Sequence, residues 1–144
     1  MCIVWVGGVM REKEERVSVA GANGFIGSWL VRSLAEEGYN SIHAAVYPPG
    51  SDPSHLFHIV NTINQQQQQQ QQQEEKVIIT LRVFEGNLLD YDAVCKAVEG
   101  CAGVFHVASP CTLEDPVDPE RELILPAVQG ILNVLTAAKR FGHK

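Results

Sequence analysis

A chain of 144 residues with 45% hydrophobic and 19% charged side chains is one domain's worth of sequence, long enough to bury a core. Its formal net charge of −6 argues against a nucleic-acid partner, which needs a basic surface. No apolar run reaches the ~18 residues of a membrane span. The apolar start, Met1 to Met10, is followed rather than preceded by its charges (Arg11 to Arg16), the reverse of a secretory signal. Cys2, Cys95, Cys101 and Cys111 form no C-x-x-C pair and no zinc-type spacing with histidine, so they read as reduced thiols of a cytoplasmic protein.

Residues 1–15 are expected to form an N-terminal extension, and the sequence leaves open whether it is a loose arm or an edge strand through Ile3 to Val6. Val17 to Ala20 is nearly all apolar and β-branched, as suits a strand covered on both faces. Gly21, Gly24 and Gly27 follow at G-x-x-G-x-x-G spacing and lead into an amphipathic helix, about 24–37, with Ile26, Leu30 and Leu34 on one face. In this context the first glycine permits a tight turn after the strand. The second lets a pyrophosphate approach the main chain at a helix N-terminus, and the third lets helix and strand pack closely. Strand–glycine turn–helix of this kind points to a dinucleotide.

Ile42 to Val46 is the second strand, broken by Pro48-Pro49-Gly50. Asp52-Pro53 is a helix start, and Leu56, Phe57, Ile59, Val60 and Ile63 supply that helix's apolar residues. Nine consecutive glutamines, 65–73, come next; glutamine has fair helix propensity, so the helix is expected to run into them. The tract reads as a tolerated repeat expansion in a surface connection, since loop-closure entropy rises slowly with length, with an interaction or aggregation segment as the other reading. Val77 to Phe84 is the third strand, Asp90 to Val98 a short helix capped by Asp90, and Gly103 to Ala108 the fourth strand, stopped by Ser109-Pro110. Asp118-Pro119 opens a last helix to about Phe141, which Pro126 should kink.

The order β-α-β-α-β-α-β-α predicts an α/β fold, a Rossmann-type doubly wound parallel sheet, incomplete, with four strands in the order 3-2-1-4. The ligand then belongs at the carboxyl ends of strands one and four. Residues 16–144 are expected to be the NAD(P)-binding unit, with the glutamines inserted at 65–73.

Together with the glycine turn, three further segments stand in order: Gly86-Asn87-Leu88-Leu89-Asp90, Val104 to Pro110, and Pro126-Ala127-Val128-Gln129-Gly130-Ile131-Leu132-Asn133-Val134-Leu135. With these the chain resembles the extended short-chain dehydrogenases/reductases of the epimerase/dehydratase superfamily, in particular the plant cinnamoyl-CoA reductase and dihydroflavonol reductase group. The resemblance runs over about Val17 to Lys144. It implies a site in which Gly21, Asn23, Gly24, Phe25, Ile26 and Gly27 hold the pyrophosphate end. Tyr47 lies by the adenosine ribose, Asn87 and Leu88 flank the adenine, and Val107, Ala108 and Ser109 line the nicotinamide ribose. The family more often has aspartate where this chain has Asn87, but asparagine still offers a donor and an acceptor.

Two departures bear on function. An NAD site has an acid at the end of the second strand, an NADP site an arginine nearby, and the family usually has Arg-Asp-Pro; this chain has Tyr47-Pro48-Pro49. The missing acid favours NADP over NAD. The resemblance also implies a tyrosine acid with a lysine four residues on, yet Tyr39, Tyr47 and Tyr91 are followed at that spacing by His43, Ser51 and Cys95. No residue here is assigned to catalysis, and no metal ligand is expected. His106 reads as a hydrogen-bonded core histidine.

The expected function is therefore the cofactor-binding portion of an NADP-dependent reductase of aromatic acyl-CoA or ketone substrates, without turnover from residues 1–144 alone. A small aromatic substrate is expected only in a full-length form. A non-catalytic nucleotide-binding or partner-docking module, and a degenerate truncated product, are the other readings. Were the chain to end at Lys144, the fourth strand would be an exposed edge and the last helix would lose cover, so self-association through both is expected.

Overall fold

The computed structural model describes residues 4–7, 16–70, 78–111 and 115–141. The unbroken run Val17–Ala20 (β2) takes the middle of a five-stranded sheet, because only there are both of its faces covered; all four residues are buried. The other strands are β1 Val4–Gly7, β3 Ser41–Val46, β4 Thr80–Glu85 and β5 Gly103–His106. The sheet order is β1-β5-β2-β3-β4. β4, β3, β2 and β5 run parallel, with Ser41 opposite Thr80, Val17 opposite Ile42 and Val17 opposite Gly103, which is the expected order 3-2-1-4.

One expectation is overturned at the edge. β5 is not open, because β1 pairs antiparallel with it, from Val4 opposite His106 to Gly7 opposite Gly103. Val4-Trp5-Val6 is β-branched and aromatic, and it satisfies the row of backbone groups that β5 would otherwise present. Of the two forms open to the N-terminal extension, residues 4–7 take the edge strand. β5 also stops at His106, short of Ala108, and the start expected for the third strand at Val77 lies outside the described residues.

Alternation along the strands divides the core between the two faces. Val17, Val19, Ile42, Ala44 and Val46 pack on Val31 and Leu34 of helix α1 (Phe25–Glu36) and on Leu56, Val60 and Ile63 of α2 (Ser54–Gln70). On the opposite face Val104 meets Val94 and Val98 of α3 (Tyr91–Val98) and Val134 and Ala137 of α4 (Leu125–Phe141). Covering helices on both faces leave the carboxyl ends of the strands as the place where a ligand can reach the sheet.

Local signals account for the helix ends. The Asp52 carboxylate accepts the Ser54 N–H at 2.9 Å and opens α2, which continues through the glutamines as far as Gln70; Gln71 to Gln73 lie outside the described residues. Asn64 clasps the returning chain across this tract, accepting Ile79 N–H at 2.9 Å and donating to Ile79 O at 3.0 Å. Asp90 caps α3 by accepting the N–H groups of Asp92 and Ala93 at 3.0 and 3.2 Å. Asp90→Ala removes that cap and is expected to lower stability by about 1 kcal/mol in a urea titration.

The kink expected at Pro126 takes a particular form. Glu120–Ile124 is a π-helical turn, and the Leu125 N–H donates to Glu120 O, one residue further back than in an α-helix. A proline ring crowds the carbonyl four residues before it, and the widened turn relieves that crowding ahead of Pro126.

Candidate functional site

The turn after β2 is built by two glycines that the fold itself demands. Gly21 has φ of +88°, and a Cβ there would sit 2.8 Å from Ala108 N and Cβ, where the chain leaving β5 crosses the end of β2. That crossing is fixed by Val107 and Ala108, whose N–H groups both donate to Ala20 O at 3.0 and 3.1 Å. A Cβ on Gly27 would lie 2.0 Å from Gly21 O, so α1 starts in direct backbone contact with the turn.

Gly24 is different. Its φ is −75°, open to any residue, and a Cβ there would meet nothing closer than Gly21 O at 3.4 Å. Neither backbone conformation nor internal packing calls for glycine. Gly24 is also the N-cap of α1 and offers no side chain to its first N–H groups, and no acid stands in the first turn. The start of α1 is left with N–H donors and positive dipole that are free for water or for an external anion.

A cleft of about 670 Å³ opens at the carboxyl ends of the parallel strands. Of the residues expected at the site, Gly21, Tyr47, Asn87, Leu88, Ala108 and Ser109 line it. The others, Gly24 among them, do not line it. Asn23 donates to Tyr47 O at 2.8 Å and accepts Tyr47 N–H at 3.3 Å, so its side chain fastens the loop after β3. Phe25 is 78% exposed, Ile26 packs on the α1–α2 core, Gly27 is buried under the turn, and Val107 is buried in the same core.

The wall opposite the strand ends comes from α4 and was missed in the sequence: Pro126, Ala127, Gly130 and Ile131 line it, with Glu122 and Leu123 from the π-helical turn. The spacing of small residues at Ala127 and Gly130 was the available signal, since small side chains let a helix approach. A Cβ on Gly130 would touch Leu88 Cβ at 3.4 Å. Asn133 completes this joint: it is buried, donates to Leu88 O at 2.7 Å, and accepts from Gln129 at 2.9 Å. Asn87 itself accepts the Leu89 N–H at 3.0 Å, which leaves its amide NH₂ as the group able to face a ligand.

Charge in the cleft is sparse. Among the described residues no lysine or arginine lines it, and Glu122 does. Glu85, at the end of β4, accepts the Gly50 N–H of the loop after β3 at 2.9 Å, and Asp52 in that loop is held by Ser54, so both carboxylates are turned onto the loop. His106 lines the cleft from the end of β5, and burial lowers its pKa below 6.5, keeping the ring neutral. Its Nδ1 has no protein partner among the described residues, so the hydrogen bond expected of this histidine at that nitrogen is not made. No described cluster of His, Cys, Asp and Glu could hold a metal, and no described helix is long and apolar enough to cross a membrane.

Residues 17–144 match the model of the NAD dependent epimerase/dehydratase family. The chain is 40% identical over 124 residues to the cinnamoyl-CoA reductase CAD2 of Medicago truncatula, covering 86% of this chain and 33% of the relative. It is 37% identical over 131 residues to a bifunctional dihydroflavonol 4-reductase/flavanone 4-reductase of Malus domestica, covering 91% and 33%. Among solved structures, vestitone reductase from alfalfa superposes with a TM-score of 0.55 at 29% identity, over 83% of this chain and 31% of the other. A single-residue mutant of uronate dehydrogenase from Agrobacterium tumefaciens, complexed with NAD, shares the fold at a TM-score of 0.56 and 20% identity, over 88% and 37%. The chain spans about a third of the length of the curated relatives it matches.

Proposed function

The chain belongs to the NAD dependent epimerase/dehydratase family, and from that premise we propose that residues 16–144 are the dinucleotide-binding portion of a reductase of the cinnamoyl-CoA and dihydroflavonol reductase type. The observation that carries this reading is Gly24. It is a glycine that neither conformation nor packing requires, set at an uncapped helix start in the same turn as Gly21, which lines the cleft at the strand ends. A pyrophosphate fits there because it needs close main-chain approach and free N–H donors.

In this reading the pyrophosphate lies over the Gly21–Gly24 turn and the start of α1. The Asn87 amide and Leu88 flank the adenine, held in place by Asn133, and Ala108 and Ser109 line the nicotinamide ribose. Asn23 acts by fixing Tyr47 beside the adenosine ribose. NADP(H) is the dinucleotide, because the loop after β3 presents no acid to ribose hydroxyls. When bound, it supplies the hydride for reduction of an aromatic acyl-CoA or ketone. This chain's residues bind and orient it, and with no Y-x-x-x-K no proton donor for a carbonyl is assigned here. A small aromatic substrate is therefore placed only in a longer form. The thiols of Cys95, Cys101 and Cys111 are free, which fits a reducing cytoplasm.

Titration with NADPH and NADH, followed by calorimetry, tests this. Saturable NADPH binding, tighter than NADH, is expected, without turnover of a cinnamoyl thioester. Gly24→Ala is expected to weaken binding at least about tenfold while the thermal midpoint stays near that of the parent, since the cost at this N-cap is about 1 kcal/mol or less. Absence of binding by the folded parent chain would remove the proposal.

A further inference from the structure

Of the described residues that line the cleft, His106 is the one with a buried polar side chain; it is 5% exposed. It is the last residue of β5 and stands opposite Ala20 in the sheet, one strand spacing, about 4.8 Å, from the strand that feeds Gly21. Strand alternation puts it on the face of Val104, which α4 covers, so the ring belongs to the side of the cleft that α4 walls. The Asn87–Leu88 turn follows β4, three strands away across the sheet, or roughly 14 Å.

The two ring nitrogens differ. Nδ1 is shielded from solvent and has no protein partner; Nε2 is not shielded in this way, and among the described residues no protein group bonds it. In the neutral ring one nitrogen carries the proton and the other a lone pair. A proton on Nδ1 would be a buried N–H with nothing to accept it, the rarer defect in folded proteins, whereas a proton on Nε2 leaves only a lone pair inside. The ring is therefore held with its proton on Nε2, a neutral donor in a cleft that no described lysine or arginine lines. The other buried histidine shows the contrast: His43 meets the Ala97 carbonyl at 2.9 Å through Nδ1 and does not line the cleft.

We propose that His106 is a binding residue for the dinucleotide, its Nε2–H donating to an acceptor oxygen on the nicotinamide half of the cofactor, from that half's phosphate to its ribose. This rests on the dinucleotide reading of the cleft and adds a donor which that reading does not use. The glycine turn offers main-chain N–H groups from the end of β2, and His106 offers a side-chain donor from the neighbouring strand. The half of the cofactor follows from position. His106 is two residues before Ala108, which with Ser109 lines the cleft on the nicotinamide side, and the width of the sheet separates it from the adenine turn at Asn87. A polar group buried at a ligand site with its hydrogen bond unmade in the free protein is completed by the ligand that makes it.

Calorimetric titration of the 144-residue chain with NADPH, and with an adenosine bisphosphate that carries only the adenosine half, tests it. His106→Phe keeps the outline of the ring and removes the donor, whereas His106→Gln sets an amide nitrogen near the Nε2 position and keeps one. His106→Phe is expected to weaken NADPH binding about tenfold, and His106→Gln to stay within about threefold of the parent. The adenosine bisphosphate is expected to bind all three alike. A packing defect would be neither repaired by the amide nor confined to one half of the cofactor. His106→Leu, a second variant without the donor, takes the place of His106→Phe where circular dichroism shows that the larger ring disturbs the fold. NADPH affinity unchanged without the donor, His106→Gln as weak as His106→Phe, or an equal loss for the adenosine bisphosphate each overturns the role given to His106 while the dinucleotide reading stands. A parent chain that binds no NADPH removes that reading, and this role with it.

Discussion

Gly27→Ala is expected to destabilise the fold by about 3 kcal/mol or more, placing it at the severe end of overpacking substitutions. The added methyl would sit 2.0 Å from Gly21 O and 2.7 Å from Ala22 Cα, and both are backbone. No rotamer change can relieve a clash with main chain, so either α1 must withdraw from the sheet or the turn must move. Withdrawing α1 uncovers Val31, Leu34 and Ala35, which are buried against β2 and β3. Moving the turn breaks the bonds by which Gly21 and Ala22 N–H both reach Ala45 O at 3.0 Å. Gly21→Ala is expected to be comparably damaging, for it adds a left-handed φ to a 2.8 Å contact with Ala108. A urea titration of the three glycine variants checks the contrast: large losses at 21 and 27, and little at 24. Equal losses at all three would mean that Gly24 too serves the fold, and the main support for a pyrophosphate at that position would be gone.

Those three glycines show what was legible in the sequence. Their spacing, the flanking strand and the following helix are local features, and each glycine's freedom or crowding follows from a turn that the sequence already implied. The Asp90 cap and the Asp52-Pro53 helix start were equally local, and the strand order followed from the alternation of elements. What stayed illegible depends on contacts between distant residues. β1 has four residues, no turn signal that commits it, and a partner, β5, at the far end of the chain. The wall of the cleft needed α4 to be placed against the Asn87–Leu88 turn, which Asn133 does from 45 residues away. Asn23 was expected to face a ligand because it stands inside the glycine fingerprint; the structure instead spends its amide on Tyr47, a pairing that appears only when the ends of β2 and β3 lie side by side. The π-helical turn was half legible: a proline foretold the irregularity but not that it would fall on the residues before it.

Acidification from pH 6.5 downward is expected to destabilise the protein before its carboxylates titrate, because two histidines are buried in the neutral form. His43 is 2% exposed on β3. Burial lowers its pKa below 6.5; the bond to the Ala97 carbonyl opposes that shift, and the charges of Arg16 and Arg82 add to it. The carbonyl at 2.9 Å can only accept, so it fixes the ring proton on Nδ1. That leaves Nε2 buried without a protein partner among the described residues, and a second proton there would be a buried charge near two arginines. His106 is 5% exposed, and burial alone lowers its pKa. For both, the unfolded chain binds the proton more readily than the native one. Their contribution is complete above pH 6.5 and is lost as the pH falls from 6.5 through the depressed native values. With two such groups the loss is at most about 2.7 kcal/mol per pH unit in that window. Urea titrations at successive pH values should show this slope, roughly halved in His43→Gln and abolished when His106→Gln is added. The single variants will also shift the absolute stability, so the slope is the quantity to compare. A slope that survives loss of both rings would place the acid sensitivity elsewhere, and one absent from the parent would mean that these histidines are solvated enough in the native state to take up their protons without cost.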